Sequence, residues 1–395
     1  MSRDQLVAMA RRSLAHAQTN TTELVDDVFR VPASNYYDED RWRQEMERIF
    51  LRMPLVMGFS TEVANPGDYK ALEVAGTPVL ISRGADGALR AFVNSCSHRG
   101  AIIMPEGTGN ARRFSCPYHA WTYNQQGDLV GILDRESFGE VDTSCLGLTP
   151  LPIAERAGII FVMVRPNAAL DIDTFLCGYD ELLAHLDFAN CRVVGSQSIA
   201  GPNWKVAYDG YLDLYHLPIL HRETFGPNMA NKALYTAWGP HQRVTSPARN
   251  VSDVVGDVDL ESMPTERLTL GVWTIFPHVS IASFESGGRV FMVSQLYPGA
   301  TPGSSVTVQT FLHTQPDAPG QAEDIATTMA FLHHVVEDED YYTGLRLQRA
   351  LKTGLKTEVL FGRNEGGGHR FHRWVDAIVA TDDDDLATLF KAGID

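Results

Sequence analysis

Residues 96–100 read Cys-Ser-His-Arg-Gly, and residues 116–123 read Cys-Pro-Tyr-His-Ala-Trp-Thr-Tyr. The pattern is Cys-x-His, seventeen intervening residues, then Cys-x-x-His. Each half brings one thiolate and one imidazole: Cys96 with His98, and Cys116 with His119. A zinc finger instead groups cysteine with cysteine and histidine with histidine. One ligand of each type on two separate loops suits a two-iron, two-sulfide centre. There one iron takes both Cys and the other both His, which raises the potential above that of an all-Cys cluster. A zinc site is the competing reading, and the two spacings together with the flanking Gly100 and Pro117 count against it.

The surroundings of these loops read as strands. From about Leu55 to Val164, short apolar runs alternate with turn residues. Val79, Ile81, Phe92, Ile159, Phe161 and Val164 supply strand formers, and Gly84, Gly87, Gly127 and Gly158 mark turns. A small antiparallel β domain follows. Before it, apolar spacing at Leu6, Met9, Ala10 and Leu14 predicts a helix over residues 1–30 that Pro32 stops. A second helix is expected at 38–51, with Trp42, Met46, Ile49 and Phe50 on one face. After Pro166 a helical stretch (FLCGYDELLAHL) leads to strands expected at 193–208, 268–285, 288–298 and 305–315, then helices at 320–353 and 369–380. Strands followed by helices imply an antiparallel sheet with helices on one face. A length of 395 residues fits two domains, or one large domain with a smaller one inserted. No internal repeat or low-complexity linker interrupts the pattern.

A net charge of -16, from 33 basic against 49 acidic residues, argues against nucleic acid, whose phosphates need a basic surface. The run Asp382–Asp383–Asp384–Asp385 reads as a solvated segment. Five cysteines form no regular disulfide framework, the N-terminus lacks an apolar signal core, and no stretch is long and apolar enough to span a bilayer. The expected location is the cytoplasm, with thiols reduced and no membrane partner.

A second group of metal-ligating residues lies at 202–226 (PNWKVAYDGYLDLYHLPILHRETFG), where Asp213 is followed by His216 and His221. Iron(II) that must meet both oxygen and a substrate is commonly held by two His and one carboxylate on one face, leaving other positions open. The carboxylate must come from elsewhere in the chain. In VVEDEDYYTGLRLQRAL (335–351), helical periodicity sets Asp340 on a face with Met329, Leu332, Val336, Leu347 and Leu351, and Asp338 on one with Phe331, Val335, Tyr342 and Leu345. Periodicity hardly separates the two.

CSHRG followed by CPYHAWTYNQQGDLVGI closely resembles the Rieske domain of aromatic-ring-hydroxylating oxygenase α (large, catalytic) subunits. NWK at 203–205 and FGRNEGGGHRFHRWVD at 361–376 extend the resemblance over nearly the whole chain. The resemblance implies an α+β fold: a small antiparallel-β Rieske [2Fe–2S] domain over 46–165, inserted in a helix-grip (START-like) catalytic domain made of 1–45 and 166–395. It implies that Cys96 and Cys116 hold one cluster iron, that His98 and His119 hold the other, and that Trp121 covers the cluster. It implies a mononuclear Fe(II) held by His216, His221 and a late carboxylate. The family's Asp-to-Gln spacing, matched by Asp340 and Gln348, selects Asp340, with Asp338 as the alternative. Asp213 matches the carboxylate that joins a cluster histidine of one subunit to an iron-ligand histidine of its neighbour. Such a link requires a ring, in the family a homotrimer (α3), with or without β subunits (α3β3). Asp209 and Tyr215 flank the ligands and are expected along the pocket. Asn203, Trp204, Lys205, His369 and His372 are expected to be structural, and Cys145, Cys177 and Cys191 to be ordinary thiols.

The implied activity is that of a terminal oxygenase. It activates O2 at the mononuclear iron and hydroxylates a small organic substrate, expected to be aromatic. Its electrons come from NAD(P)H through a flavin reductase, with or without a ferredoxin; GGG at 366–368 is no dinucleotide fingerprint. Oxidative N- or O-dealkylation and quaternary-ammonium monooxygenation are alternatives within the family. Tyr208, Tyr211, Tyr215, Phe225, Trp238, Trp273 and Phe276 suit an aromatic guest, or could cage an ammonium by cation–π contact. Two other classes compete: a Rieske electron-transfer protein without oxygenase activity, which leaves the His pair unexplained, and a ligand-binding module with zinc in the first site.

Overall fold

The computed structural model describes residues 2–246 and 259–394. The chain forms two compact units, one of residues 50–172 with Phe188–Asn190, the other of 1–49, 173–187 and 191–395. The first is thus inserted in the second. Residues 46–49 pack with the larger unit, because Met46–Phe50 continues the helix Glu39–Glu45 as a π-turn, and Ile49 is fully buried.

The inserted unit is antiparallel throughout. A five-stranded sheet runs in the order Pro150–Leu151, Leu89–Val93, Thr77–Arg83, Asp68–Val74, Gly107–Asn110. Two three-stranded sheets complete it: Ile153–Arg156, Ile159–Val162 and Leu55–Phe59, and the short strands Phe114–Ser115, Thr122–Tyr123 and Leu129–Gly131. In the last hairpin the Asn124 side chain accepts from the N–H groups of Gln126 and Asp128, and Gly127 takes φ +90°. A Cβ there would lie 2.4 Å from the Phe92 ring, so only glycine fits. Leu80, Phe92, Phe114, Trp121 and Tyr123 form a core that also contains the two motif cysteines.

The larger unit is built on a seven-stranded antiparallel sheet. Its order is Arg192–Gly201, Ser305–His313, Arg289–Pro298, Val279–Glu285, Val272–Ile275, His241–Thr245, Leu234–Trp238. The strand Arg289–Pro298 is buried along almost its whole length, as a central strand covered on both faces should be. Val290 and Met292 pack with Phe311 and with Leu332 of the helix Gln321–His334. Sheet and helices together give an α+β fold.

Several local expectations change. The first helix is Ser2–Thr19, ending where Asn20 turns left-handed (φ +54°), and Phe29–Pro32 is instead a strand paired with Glu358–Phe361. The stretch after Pro166 breaks at Cys177 and Gly178, both with positive φ, into Ile172–Leu176 and Asp180–Leu183. The strand expected to reach residue 208 ends at Gly201: Pro202 follows, and Asn203 caps the helix Trp204–Leu212 by accepting from Lys205 N–H at 2.9 Å. The run 268–285 divides into two strands around residues 276–278, and the hairpin 234–245 turns at Gly239 (φ +55°) where no strands were expected.

Asn203-Trp204-Lys205 and Gln348 knit the larger unit together. Lys205 Nζ meets Glu45 Oε2 at 2.5 Å, both side chains being fully buried, and Trp204 Nε1 and Arg41 Nε also donate to Glu45. Gln348 donates to Tyr36 O and accepts from Asn203 N–H. His369 lies against the carbonyls of Phe361 and Gly362, and His372 joins Asp209 and Tyr36 in a buried cluster with contacts of 2.9 to 3.0 Å.

Candidate metal centres

The two motif loops of the inserted unit share one backbone design. Gly100 N–H donates to Cys96 O and Ala120 N–H to Cys116 O; Cys96 N–H donates to Ala101 O and Cys116 N–H to Trp121 O. The equivalent residues Gly100 and Ala120 both take positive φ, +77° and +56°. Each loop thereby turns its cysteine inward and its histidine outward. Cys96 and Cys116 are 3% exposed, while His98 and His119 are half-buried with ring centroids 4.8 Å apart. Trp121 stacks on His98 at 4.9 Å. The Tyr123 hydroxyl accepts from Ser97 N–H at 3.0 Å and lies 3.2 Å from Cys96 Sγ, placed to donate to a thiolate. Burial, then the Cys96 neighbour, pushes this phenol up to about 12, so it keeps its proton. Two buried thiols and two outward imidazoles fit a mixed two-iron cluster with its His-bound iron nearer the surface. Cys145, Cys177 and Cys191 lie outside these loops.

In the larger unit the helix Trp204–Leu212 ends at Asp213, and a turn at 217–220 separates His216 from His221. Asp340 comes from Val335–Tyr341, a π-turn between the α-helices Gln321–His334 and Tyr342–Leu351. One ligand atom from each of His216, His221 and Asp340 lies within 4.8 Å of the others. Both imidazoles turn Nε2 toward Asp340 Oδ1, at 3.7 Å from His216 and 3.2 Å from His221. Both offer Nδ1 to another carboxylate: His216 to Asp213 Oδ2 at 3.0 Å, His221 to Glu339 Oε2 at 2.7 Å. A proton held at Nδ1 leaves the Nε2 lone pair for a metal, so the donor set fits a two-His, one-carboxylate iron site. Burial depresses the His221 pKa, but Asp340 and Glu339 outweigh it and raise the group above its ordinary value. Asp338 is elsewhere: it meets His334 Nδ1 at 2.7 Å on the exposed side of the helix.

Glu339 escaped the sequence reading. It also accepts from Thr224 Oγ1 at 3.0 Å. Its only signal was adjacency to Asp340; the two acids meet opposite edges of the His221 ring, Glu339 at Nδ1 and Asp340 at Nε2. Asp213 also accepts the N–H of Tyr215.

A cavity of about 750 Å³ reaches the triad, which forms part of its wall. Apolar side chains dominate its lining, among them Leu214, Leu217, Met292, Leu332, Val335 and Val336. Of the seven aromatic residues singled out above, only Tyr211 and Phe225 line it; Tyr208, Trp273 and Phe276 are core. Asp209 lines only a smaller cavity of about 290 Å³ on another side of Asp340, and Tyr215, 55% exposed, lines neither. The pocket expected along these two residues is built instead between sheet and helix, since Asp209 is held by Tyr36 and His372.

Two family models match the chain: a Rieske [2Fe-2S] domain at residues 53–142, and the ring hydroxylating alpha subunit (catalytic domain) at 188–381. The chain belongs to the Rieske oxygenase alpha-subunit family. Each domain of this family occurs here with its own candidate centre. Among curated relatives, the carnitine monooxygenase oxygenase subunit of Escherichia coli (strain K12) is 32% identical over 49% of this chain and 53% of its own length. The chlorobenzene dioxygenase alpha subunit of Cupriavidus sp. (strain PS12) is 35% identical over 46% and 42%. The benzene 1,2-dioxygenase alpha subunit of Pseudomonas putida (strain F1) is 31% identical over 56% and 55%. The aligned stretch spans about half the length of these relatives. Among solved structures, a quaternary ammonium Rieske monooxygenase superposes with TM-score 0.77 at 24% identity, covering 90% of this chain and 96% of that one. Naphthalene 1,2-dioxygenase from Rhodococcus sp. does so with TM-score 0.73 at 20% identity, covering 97% and 100%. At these identities the structures share the fold. No helix among the described residues is long and apolar enough to cross a membrane.

Proposed function

We propose that this chain is the terminal oxygenase component of a multicomponent system that hydroxylates a small, mainly apolar and aromatic substrate. The observation that carries the reading is the His216–His221–Asp340 triad in the wall of an apolar cavity. His216, His221 and Asp340 would hold a mononuclear iron, and Cys96, Cys116, His98 and His119 a [2Fe–2S] cluster. When bound, the iron supplies a reduced centre for dioxygen activation and the cluster supplies a stored electron. The chain's own groups do the rest. Asp213 and Glu339 hold the Nδ1 protons of the two histidines and fix their rings. Leu217, Leu332 and Val336 exclude water beside the triad and give an apolar ring a surface to pack on. Asp213 is the residue we assign to the link with the cluster histidine of a neighbouring subunit, in a homotrimer with or without β subunits. NAD(P)H would be the electron source, through a flavin reductase with or without a ferredoxin. The quaternary-ammonium alternative draws on similarity to the carnitine enzyme; three aromatic side chains, Tyr211, Phe225 and Phe284, line the cavity, but the cationic Arg243 on the same wall disfavours such a guest.

The test is a reconstituted assay. About three irons and two acid-labile sulfides per chain are expected, with oxygen uptake driven by NADH and reductase in the presence of an aromatic substrate. His216→Ala should keep the cluster spectrum and lose turnover; full turnover in that variant would overturn the reading.

A further inference from the structure

The strand His241–Thr245 brings to the cavity wall a guanidinium that meets no acid among the described residues. Arg243 is 4% exposed. Its Nη2 donates to the carbonyls of Leu268 and Leu270, each at 2.6 Å, and its Nη1 touches only Met9 Sδ at 3.6 Å. The guanidinium carbon sits 4.6 Å from the centre of the Trp273 ring. Nε is buried and has no hydrogen-bond partner. Burial brings the group down to about 10; Tyr179 pulls it up, and the like-charged Arg289 and Arg12 push it down. A buried cation without a counter-charge is costly, and such sites usually pair with an anion.

The surroundings show where that anion would sit. Met9, Leu268 and Leu270, which the terminal nitrogens of Arg243 contact, all line the cavity. So does Gly271, which neighbours Arg243 in the lining. Among the described residues, the only carboxylates in the lining are Asp213 and Asp340 of the candidate metal centre, and the only other arginine is the exposed Arg267. Acid therefore stands at the triad, and unneutralised positive charge on the wall built by Arg243.

We propose that Arg243 receives a carboxylate of the substrate, a mainly apolar ring-bearing acid whose other end faces His216, His221 and Asp340. This rests on the oxygenase reading and names its substrate class. A guanidinium whose Nη1 meets a thioether and no oxygen acceptor suits a carboxylate by charge and by hydrogen bonding. A guanidinium that merely capped the turn at Thr265–Leu268 would not discriminate ligands by charge.

The test uses holoprotein whose iron and sulfide content has been measured, with benzoate, benzamide and phenyltrimethylammonium as calorimetric probes. Benzoate is expected to bind at least about tenfold more tightly than benzamide, and phenyltrimethylammonium more weakly than either. Arg243→Gln should bring benzoate down to the benzamide level and leave benzamide unchanged, whereas Arg267→Gln should keep the preference. His221→Ala should also keep it, which separates Arg243 from carboxylate binding to iron. Equal binding of benzoate and benzamide by the unmodified protein overturns the proposal even where Arg243→Gln does not fold. A preference that survives Arg243→Gln overturns it too. Loss of the oxygenase reading shows differently, as an absence of NADH-coupled oxygen uptake with any ring substrate.

Discussion

At the scale of single residues, the metal centre depends on which nitrogen of each histidine carries a proton. Glu339 fixes this for His221 as Asp213 does for His216, so Glu339→Ala should weaken iron retention roughly 10- to 100-fold. Glu339→Gln should recover part of the loss, since its amide oxygen can still accept from Nδ1–H. Iron content after dialysis against a chelator measures both, and the cluster absorbance should stay constant. A different histidine governs stability. His241 is fully buried, with Nε2 2.7 Å from the Phe175 carbonyl and Nδ1 accepting from Phe276 N–H. That pairing requires the neutral ring, and burial brings its pKa down from 6.5 to about 4. With the folded value below the unfolded one, the unfolded chain takes the proton first as pH falls. The stability contribution is full above pH 6.5 and declines toward pH 4, by roughly 3 kcal/mol at most. Denaturant unfolding between pH 7 and 4.5 should show this slope, and His241→Gln should lose close to one proton of it.

At the scale of elements, the π-turn Val335–Tyr341 decides the centre. Glu339 and Asp340, consecutive residues of this turn, meet His221 at Nδ1 and Nε2. Inserted π-turns recur at functional sites because they re-aim side chains without breaking the helix. Deleting Glu337, an exposed residue of the turn, should restore α-helical register, abolish iron binding and leave the cluster spectrum unchanged. A deletion variant that retained iron would show that the turn is not what aims Asp340. The helix Trp204–Leu212 is positioned by a different device. Its Asn203 cap and the buried Lys205–Glu45 pair tie it to the helix Glu39–Glu45, and burial lowers the Lys205 pKa against the pull of Glu45. Breaking such a pair from one side strands a charge in the core, which is why its partners act as a unit.

At the scale of the whole molecule, the prediction concerns assembly. If Asp213 links centres on neighbouring subunits, a subunit without a cluster and a subunit without iron should complement one another. Cys96→Ser and His216→Ala chains, each inactive alone, should regain turnover when co-expressed and mixed within one ring. Electron transfer confined to a single chain would leave the mixture inactive. Size-exclusion chromatography with light scattering should find three copies of the chain in the active species.

The candidate cluster residues could be proposed from the sequence because they are local: four residues within 24 positions, each pair on one short turn. His216 and His221 were legible for the same reason. The third iron ligand was narrowed to Asp338 or Asp340 by helical spacing, which presumes an α-helix, and it was resemblance that favoured Asp340. The π-turn, the part of that helix that matters most, has no periodic signature.

By itself, then, the sequence carried the two-unit plan and pointed to two groups of candidate ligands, since these depend on ligand type and short spacing. Tertiary structure decided the partners that meet across long chain separations: Glu339 at His221, Glu45 at Lys205, and the cavity whose wall Arg243 joins. Those contacts depend on how sheet and helices pack, and local patterns of apolar and polar residues do not encode which side chains then meet.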